Sequence, residues 1–230
     1  MTMMIEPIAR IRGDFSSKFG IPRQSGLVDA IRSTVVFEPE YRDINALRGL
    51  DGYSHIWLIW EFSESAREGW SPTVKPPRLG GNRRMGVFAT RSPFRPNPLG
   101  LSCVKLMGID ADSPDGPVLH VAGADLMDGT PIYDIKPYLP HADCHPEATG
   151  GFSSEVKDYA IKVDFPDELL ARIPEEKRPA IIGVLEQDPR PGYRHGDDGR
   201  RYGVAFAGYD VRFSVSEGVL HVIEVAPMTQ

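Results

Sequence analysis

His-Ile-Trp-Leu-Ile-Trp-Glu-Phe, residues 55–62, is nearly all apolar and has the length of one β-strand. It is far shorter than the roughly 20 apolar residues that a membrane-spanning helix needs. A continuous apolar run bounded by polar residues is typical of a strand that is covered on both faces. We therefore expect residues 55–62 to form a strand that is buried on both sides.

Six further short runs predict strands, and turn-forming residues separate them, since the chain holds 23 glycines and 21 prolines. The six runs are Ile5–Ile11, Val28–Phe37, Val87–Thr90, Ser102–Ile109, Val118–Ala122 and Ile132–Ile135. Seven short strands with few helices favour a closed or nearly closed barrel, because closure removes exposed sheet edges. The sequence thus predicts a mainly β protein with an N-terminal β-barrel.

A second, smaller module is predicted after the barrel. Residues 142–154 are polar, contain Pro146 and the Gly150-Gly151 pair, and predict a linker. The run Tyr159–Phe165 predicts a strand that can extend the first domain to residue 165. Two helices and a hairpin then predict an α+β module, from the runs Pro166–Ile173, Glu175–Leu185, Tyr202–Val215 and Val219–Val225. We divide the chain into a barrel domain, residues 1–141, and a C-terminal domain, residues 166–230.

Composition is that of an ordinary globular protein, with 25% charged and 41% hydrophobic residues. No apolar run has the length of a membrane helix, and the first residues lack the apolar core of a signal peptide. The two cysteines, Cys103 and Cys144, suit a reducing compartment without structural disulfides. We expect a cytoplasmic protein with no membrane partner.

Positive charge is concentrated in one segment, from Gly69 to Ile109, which carries seven basic residues and no Asp or Glu, although the whole chain has a formal charge of −6. The bases are Lys75, Arg78, Arg83, Arg84, Arg91, Arg95 and Lys105. Arg presents forked donors that match phosphate oxygens, so phosphate is the leading candidate ligand. The alternative is a solvated loop that is merely rich in Arg.

Three loops are candidates for a binding site. The run from Arg91 to Gly100, RSPFRPNPLG, holds three prolines that stiffen it, which lowers the cost of ordering it around a ligand. Arg23, Gln24 and Ser25 lie in a second loop bounded by Pro22 and Gly26. Asp125 follows a predicted strand and begins a stretch with three carboxylates in ten residues, which ends at Asp134.

Several common sites are excluded or weakened. The chain has no Walker loop and no G-x-G-x-x-G after a strand, so a Rossmann nucleotide site is not expected. His141, Cys144 and His145 have spacings that one helical face could bring to a zinc ion. Prolines bracket them and no fourth ligand is evident, so we expect no metal site.

Three stretches together resemble the TsaA-like family of bacterial tRNA (adenine) methyltransferases. They are LRGLDGYSHIWLIWEF (47–62), PPRLGGNRRMGVFATRSPFRPNPLGLS (76–102) and DLMDGTPIYDIKPYLP (125–140). The similarity resumes at LEQDPRPGYR (185–194) and YDVRFSV (209–215). The resemblance implies a non-Rossmann β-barrel methyltransferase that is a homodimer and uses S-adenosylmethionine. The implied acceptor is the exocyclic nitrogen of threonylcarbamoyl-adenosine, beside the anticodon of a threonine tRNA.

The resemblance also implies which residues bind the methyl donor. They are Arg23, Gln24, Ser25, Ser63, Glu64, Arg91, Leu101, Gly123, Ala124, Asp125 and Leu126. A general base would help the acceptor nitrogen to lose its proton. Asp125, Tyr133 and Asp134 are candidates for this catalytic role, and the sequence does not choose among them.

Other cations are predicted to bind tRNA: Arg78, Arg83, Arg84 and Arg95, with Arg190, Tyr193 and Arg194 in the C-terminal module. The alternative for the last three is a turn that docks the module onto the barrel. Two other functions remain open, because a fold does not fix a substrate. One is methylation of a small molecule or a protein, and the other is a regulator that binds S-adenosylmethionine without transferring its methyl group.

Overall fold

The computed structural model describes residues 4–65, 70–76, 83–156, 160–190 and 199–228. The strands of these residues are β1 Ala9–Arg12, β2 Arg32–Phe37, β3 His55–Glu61, β4 Thr73–Val74, β5 Met85–Gly86, β6 Leu99–Asp110, β7 Val118–Ala122, β8 Pro131–Pro137, β9 Lys162–Asp164, β10 Tyr202–Phe206, β11 Tyr209–Ser216 and β12 Val219–Pro227. The α-helices are α1 Pro140–Asp143, α2 Asp167–Leu170 and α3 Arg178–Glu186.

Six strands form a closed antiparallel barrel in the order β1-β2-β7-β6-β3-β8. The barrel closes because β8 pairs with β3 along one edge and with β1 along the other. The predicted barrel and the mainly β class are confirmed. One predicted strand, Val87–Thr90, is wrong, because Val87–Ala89 form a 3-10 turn that follows the small β4–β5 ribbon.

The prediction that strand β3 is buried on both faces is wrong, because only its inner face is buried. Ile56, Leu58 and Trp60 point into the barrel core, whereas the alternate residues from His55 to Glu61 are half-buried on the outer face. The prediction failed because an apolar outer face does not require a covering layer, and apolar atoms make up much of any protein surface. The alternation separates an inner row of side chains from an outer row, which matters for the site.

The second sheet has the order β10-β11-β12-β9 and packs against α3, which confirms the predicted α+β module. Strand β9 pairs in parallel with β12, so this strand belongs to the second sheet and does not extend the barrel. The predicted strand Tyr202–Val215 is two strands, because Ala207 and Gly208 adopt positive φ and turn the chain. The predicted helices are shorter than expected, and a 3-10 turn at Glu175–Lys177 precedes α3.

The long β1–β2 connection, residues 13–31, joins the two modules. Phe15, Val28 and Ile31 are buried in the same core as α3 and the second sheet rather than in the barrel core. Phe15 packs edge to face on Phe206, with ring centroids 5.4 Å apart. The C-terminal module thus completes its core with side chains from the barrel domain.

The described residues contain no helix that is long and apolar enough to span a membrane. Part of the predicted linker is ordered, since α1 extends to Asp143 and the Asp143 carboxylate accepts a 3.0 Å hydrogen bond from Trp57 on the outer face of β3.

Candidate functional site

Asp125 is the centre of a hydrogen-bonded cluster at one end of the barrel. It lies in the β7–β8 loop, and its carboxylate accepts a 2.5 Å hydrogen bond from the hydroxyl of Ser102 on the inner face of β6. Ser102 in turn accepts a 2.9 Å bond from the indole N–H of Trp60 on β3. The backbone N–H of Ser25 also bonds to the Asp125 carboxyl group. Three separate elements therefore fix this acid.

Arg91 and Gln24 extend the cluster toward solvent. The Arg91 guanidinium donates to the side-chain oxygen of Gln24, and its charge acts on Asp125. Arg91 is exposed, whereas Gln24 is half-buried. The cluster therefore places an exposed cation beside a half-buried carboxylate.

Backbone contacts hold the two loops of this cluster against each other. The N–H of Gly26 donates to the carbonyl of Gly123 at 2.9 Å, and the N–H of Gly123 donates to the carbonyl of Ile31 at 3.0 Å. Gly123 has a φ of 74°, and a Cβ there would lie 3.3 Å from backbone atoms of Gly26. Glycine is required at position 123 by both the left-handed conformation and this close approach.

Burial raises the pKa of Asp125 above its usual range, and the opposing effects of Ser102, the Ser25 N–H and Arg91 are smaller. A carboxylate that is desolvated beside a cation, with hydrogen bonds to fix its direction, is typical of functional sites. The cluster is therefore suited to hold a ligand that carries both a carboxylate and hydrogen-bond donors.

The other residues that were predicted to bind the methyl donor differ in their surroundings. Arg23 faces the C-terminal module, where its guanidinium donates to the carbonyl of Arg190 at 3.2 Å. Ser63 and Glu64 form an exposed 3-10 turn after β3, and Lys18 donates to the Glu64 carbonyl. Ala124 and Leu126 are buried in the barrel core.

Leu101 lies on the opposite face of β6 from Ser102. Its side chain is 50% exposed on the outer surface, beside Leu99. Within one chain it does not join the Asp125 cluster, because neighbouring residues of a strand point to opposite faces.

Tyr133 and Asp134 also lie on the outer surface of the barrel. A bulge between β3 and β8 sets Ile59 opposite Asp134 and Trp60 opposite Ile132, so that Tyr133 is the extra residue. Tyr133 donates a 2.5 Å hydrogen bond to Glu61, and Asp134 forms a 2.8 Å ion pair with Lys136. Burial and the Glu61 carboxylate raise the pKa of Tyr133 to about 12, so its hydroxyl keeps its proton at neutral pH.

Arg83 and Arg84 are exposed and lie just before β5, where Arg84 donates to the hydroxyl of Thr73 across the β4–β5 ribbon at 2.8 Å. Arg95 donates to the carbonyl of Thr90 at 3.1 Å, which braces the Pro-rich loop. Arg78, Tyr193 and Arg194 lie outside the described residues.

Arg190 does not fit the surface role that its sequence context predicted. It is 5% exposed, and its guanidinium forms two hydrogen bonds of 2.8 and 2.9 Å with the buried carboxylate of Asp188. A side chain that is buried and neutralised in this way is not available to a phosphate. Because the Arg190 carbonyl also binds Arg23, its position favours the alternative prediction of a turn that docks the two modules.

Sequence reasoning missed Ser102 and Trp60. Both point into the barrel: Ser102 lies on the same face of β6 as Val104, and Trp60 lies on the same face of β3 as Leu58. A serine in an otherwise apolar inward row was the available signal, because a buried hydroxyl needs a partner. Trp60 is also fitted to Gly100, where a Cβ would lie 2.3 Å from the indole ring.

No group of three or more His, Cys, Asp or Glu side chains that could hold a metal ion occurs in the part of the chain that the structure describes. His145 pairs instead with Glu147 at 3.5 Å.

Two family profiles match nearly the whole chain. Residues 10–144 match the tRNA-methyltransferase O N-terminal domain, and residues 158–228 match the TrmO C-terminal domain. This chain belongs to the tRNA-methyltransferase O family. The predicted resemblance, the methyltransferase class and S-adenosylmethionine as cofactor are thereby confirmed.

Relatives of the TrmO family align with this chain over nearly their full length. The tRNA (adenine(37)-N6)-methyltransferase of Escherichia coli (strain K12) is 40% identical, covering 98% of this chain and 99% of that protein. The putative S-adenosylmethionine-dependent methyltransferase RcsF of Pseudomonas aeruginosa is 39% identical, covering 98% of this chain and 99% of that protein. A crystal structure of TrmO from Pseudomonas aeruginosa has a TM-score of 0.79 at 35% identity, covering 99% of this chain and 98% of that chain.

The Asp125 cluster fits the methyl donor of this family. S-adenosylmethionine has a carboxylate, an amino group, ribose hydroxyls and a positively charged sulfur. Arg91 offers a cation to the carboxylate, and Asp125 offers a hydrogen-bond acceptor to the N–H and O–H groups and a negative charge to the sulfonium. The closely apposed backbones of Gly26 and Gly123 frame the same site.

Proposed function

We propose that this protein methylates the exocyclic nitrogen of threonylcarbamoyl-adenosine at the position beside the anticodon of a threonine tRNA. The observation that carries the proposal is the Asp125–Arg91–Gln24 cluster at the barrel end, together with a +7 segment that runs directly into it. The cluster suits the methyl donor, and the basic segment suits the RNA backbone. Family membership supports the reaction class.

The donor supplies a methyl carbon that is activated by the positive sulfur. In the proposed reaction, the exocyclic nitrogen forms a bond to this carbon as the carbon–sulfur bond breaks, and the nitrogen loses its proton. Positioning dominates such a transfer, because nucleophile, carbon and leaving group must be nearly in line. Arg91, Gln24 and the Ser25 backbone are the proposed positioning groups, since they surround Asp125.

Asp125 is our candidate for the acceptor of the nitrogen's proton. A carboxylate whose pKa is raised by burial is a stronger base than an exposed carboxylate. Tyr133 is protonated at neutral pH and Asp134 is paired with Lys136, and both lie on the outer surface. These contacts support Asp125 over the other two predicted catalytic residues.

We further propose a homodimer that acts in the cytoplasm. Leu99 and Leu101 project from the outer face of β6 and are 38% and 50% exposed. The homodimer is what the family resemblance implies, and these two leucines are our candidate for its contact. Light scattering of the purified protein and of Leu101→Asp tests it: a dimer that dissociates in the variant supports the proposal, and a monomeric parent contradicts it.

The proposed reaction is tested by mass spectrometry of tRNA nucleosides from a strain lacking the gene. Loss of methylated threonylcarbamoyl-adenosine, with restoration by the wild-type gene but not by Asp125→Ala, supports it. An unchanged nucleoside profile would favour a small-molecule methyltransferase or a regulator that binds S-adenosylmethionine.

A further inference from the structure

Two large aromatic side chains are exposed side by side in the basic segment. Trp70 is 53% exposed and Phe88 is 74% exposed, and their rings stack at 28° with centroids 6.3 Å apart. Both lie at the same end of the antiparallel β4–β5 ribbon, in which Thr73 pairs with Gly86, because Trp70 precedes β4 and Phe88 follows β5. Neither ring is needed to anchor the ribbon, because Val87 is 1% exposed and its N–H donates to the Pro72 carbonyl.

The surroundings of this pair favour an anionic partner. Arg83 and Arg84 are exposed just before β5, Lys75 is exposed just after β4, and no carboxylate occurs between Gly69 and Ile109. Two copies of such a surface would repel each other across the two-fold axis of a dimer. The charge therefore argues against this patch as the self-association surface.

The pair also lies close to the Asp125 cluster. Phe88 precedes Arg91 by three residues, so their Cα atoms are at most about 10–11 Å apart. Arg91 contacts Gln24 within the cluster. A nucleotide next to the methylated base is thus within reach of the aromatic rings.

We propose that Trp70 and Phe88 form a stacking platform for unpaired bases of the anticodon loop that flank the target adenosine. The proposal rests on the tRNA methylation proposed above and adds a binding site to it. Aromatic faces accept unpaired RNA bases of any sequence, and neighbouring Arg and Lys hold the phosphates. The platform would keep the loop splayed while the target base occupies the Asp125 site.

The experiment measures binding of an anticodon stem–loop RNA to four proteins. They are the wild type, Trp70→Leu/Phe88→Leu, Trp70→Phe/Phe88→Tyr, and the control Tyr41→Leu, which removes an exposed aromatic ring outside the basic segment. The Leu variant keeps apolar bulk but removes the aromatic faces. We expect it to bind RNA about five- to a hundredfold more weakly, with the aromatic variant and the control close to wild type.

Two further readouts separate this role from others. The slope of log affinity against log salt stays constant in the Leu variant, because no cation is removed, and S-adenosylhomocysteine binding by calorimetry is unchanged. RNA should quench tryptophan fluorescence in the wild type, and this quenching should be lost in Trp70→Phe/Phe88→Tyr, which still binds RNA but has no Trp70 emission.

Several outcomes would overturn the platform. Equal RNA affinity of the Leu variant and wild type does so, as does equal loss in the two double variants. A shift from dimer to monomer in the Leu variant assigns the patch to protein contact instead. If the wild type itself neither binds nor methylates tRNA, the proposed function fails, which is distinct from failure of the platform alone.

Discussion

At the scale of single residues, Asp125 has opposing requirements. Burial disfavours its charged form, while Ser102, the Ser25 N–H and Arg91 favour it, and the net effect is a raised pKa. A site of this kind sacrifices stability for function, since a buried charge that is partly compensated destabilises the fold. The same charge is what a cationic donor requires.

This residue predicts a dependence on pH. An acid whose folded pKa is raised lowers the free energy of unfolding as pH rises from its unfolded pKa, about 3.9, through the folded pKa. Donor affinity should rise over the same interval as Asp125 ionises. Asp125→Asn should lose both dependences. Denaturant titrations and calorimetry across this range, taken as the difference between wild type and variant, measure them.

The free energy of unfolding is compared between wild type and Asp125→Asn because other carboxylates change it with pH in the opposite direction. The pKa of Asp43, Asp115 and Asp143 is lowered by hydrogen bonds, so each adds stability as pH rises. Donor affinity that is flat with pH in the wild type would remove Asp125 from the donor site.

Tyr133 provides the second prediction at this scale. Its hydroxyl is bonded to Glu61 on the outer surface and keeps its proton at neutral pH. Tyr133→Phe should therefore lower the free energy of unfolding by about 0.5–1.5 kcal/mol and leave the turnover number within a factor of about three. A turnover number reduced a hundredfold in a stably folded variant would make Tyr133 catalytic after all.

At the scale of elements, the β1–β2 connection carries Gln24 and Ser25 at its surface and Phe15, Val28 and Ile31 in the C-terminal core. The Lys177 ammonium also bonds both oxygens of Asp14 at 2.7 and 2.8 Å. A loop anchored on both sides is pre-organised for a ligand. The C-terminal module thus supports the loop that carries Gln24 and Ser25, which favours the predicted alternative of a module docked onto the barrel.

Two buried valines of this core test the anchoring. Val28→Ala and Val222→Ala each remove two methyl groups from the same cluster, and each should cost about 1.5–3 kcal/mol of stability. Only Val28→Ala loosens the loop, so it should weaken S-adenosylhomocysteine binding several-fold while Val222→Ala does not. Equal donor affinity of two equally destabilised variants would show that the anchor is purely structural.

Strands were predicted well where the apolar residues of a run all serve one strand. Strand β7 was predicted to the residue, because Val118–Ala122 combines β-branched residues with turns at both ends. Strand β2 was predicted four residues too long, since Val28 and Ile31 are apolar for the second core and not for the strand. Val87 was taken for a strand residue because a buried anchor in a turn is also apolar.

The candidate site was predictable in part. Arg91, Gln24 and Asp125 each stood out in loops rich in Gly and Pro, and the barrel brings these loops together. Ser102 could have been found from the alternation along β6, which places its hydroxyl on the inner face of the barrel. Asp188 and Arg190 are two residues apart in sequence, but the burial of this ion pair depends on tertiary packing, which local pattern does not encode.

At the scale of the whole molecule, charge is divided between a +7 segment and an otherwise acidic chain. Replacing Arg83, Arg84 and Arg95 by Ala should lower the slope of log tRNA affinity against log salt by about two and leave donor affinity unchanged. The control Arg10→Ala/Arg48→Ala/Arg212→Ala removes the same charge elsewhere. Identical slopes in both triple variants would mean that the segment does not bind phosphates.

The proposed activity is methyl transfer to one modified adenosine of tRNA. The most direct measurement uses purified protein, S-adenosylmethionine with a deuterated methyl group, and tRNA from a strain lacking the gene, followed by mass spectrometry of the nucleosides. We predict that the label appears on threonylcarbamoyl-adenosine with wild type and is absent with Asp125→Ala. Label on another nucleoside, or no label in the presence of measurable donor binding, would contradict the proposed methylation of threonylcarbamoyl-adenosine.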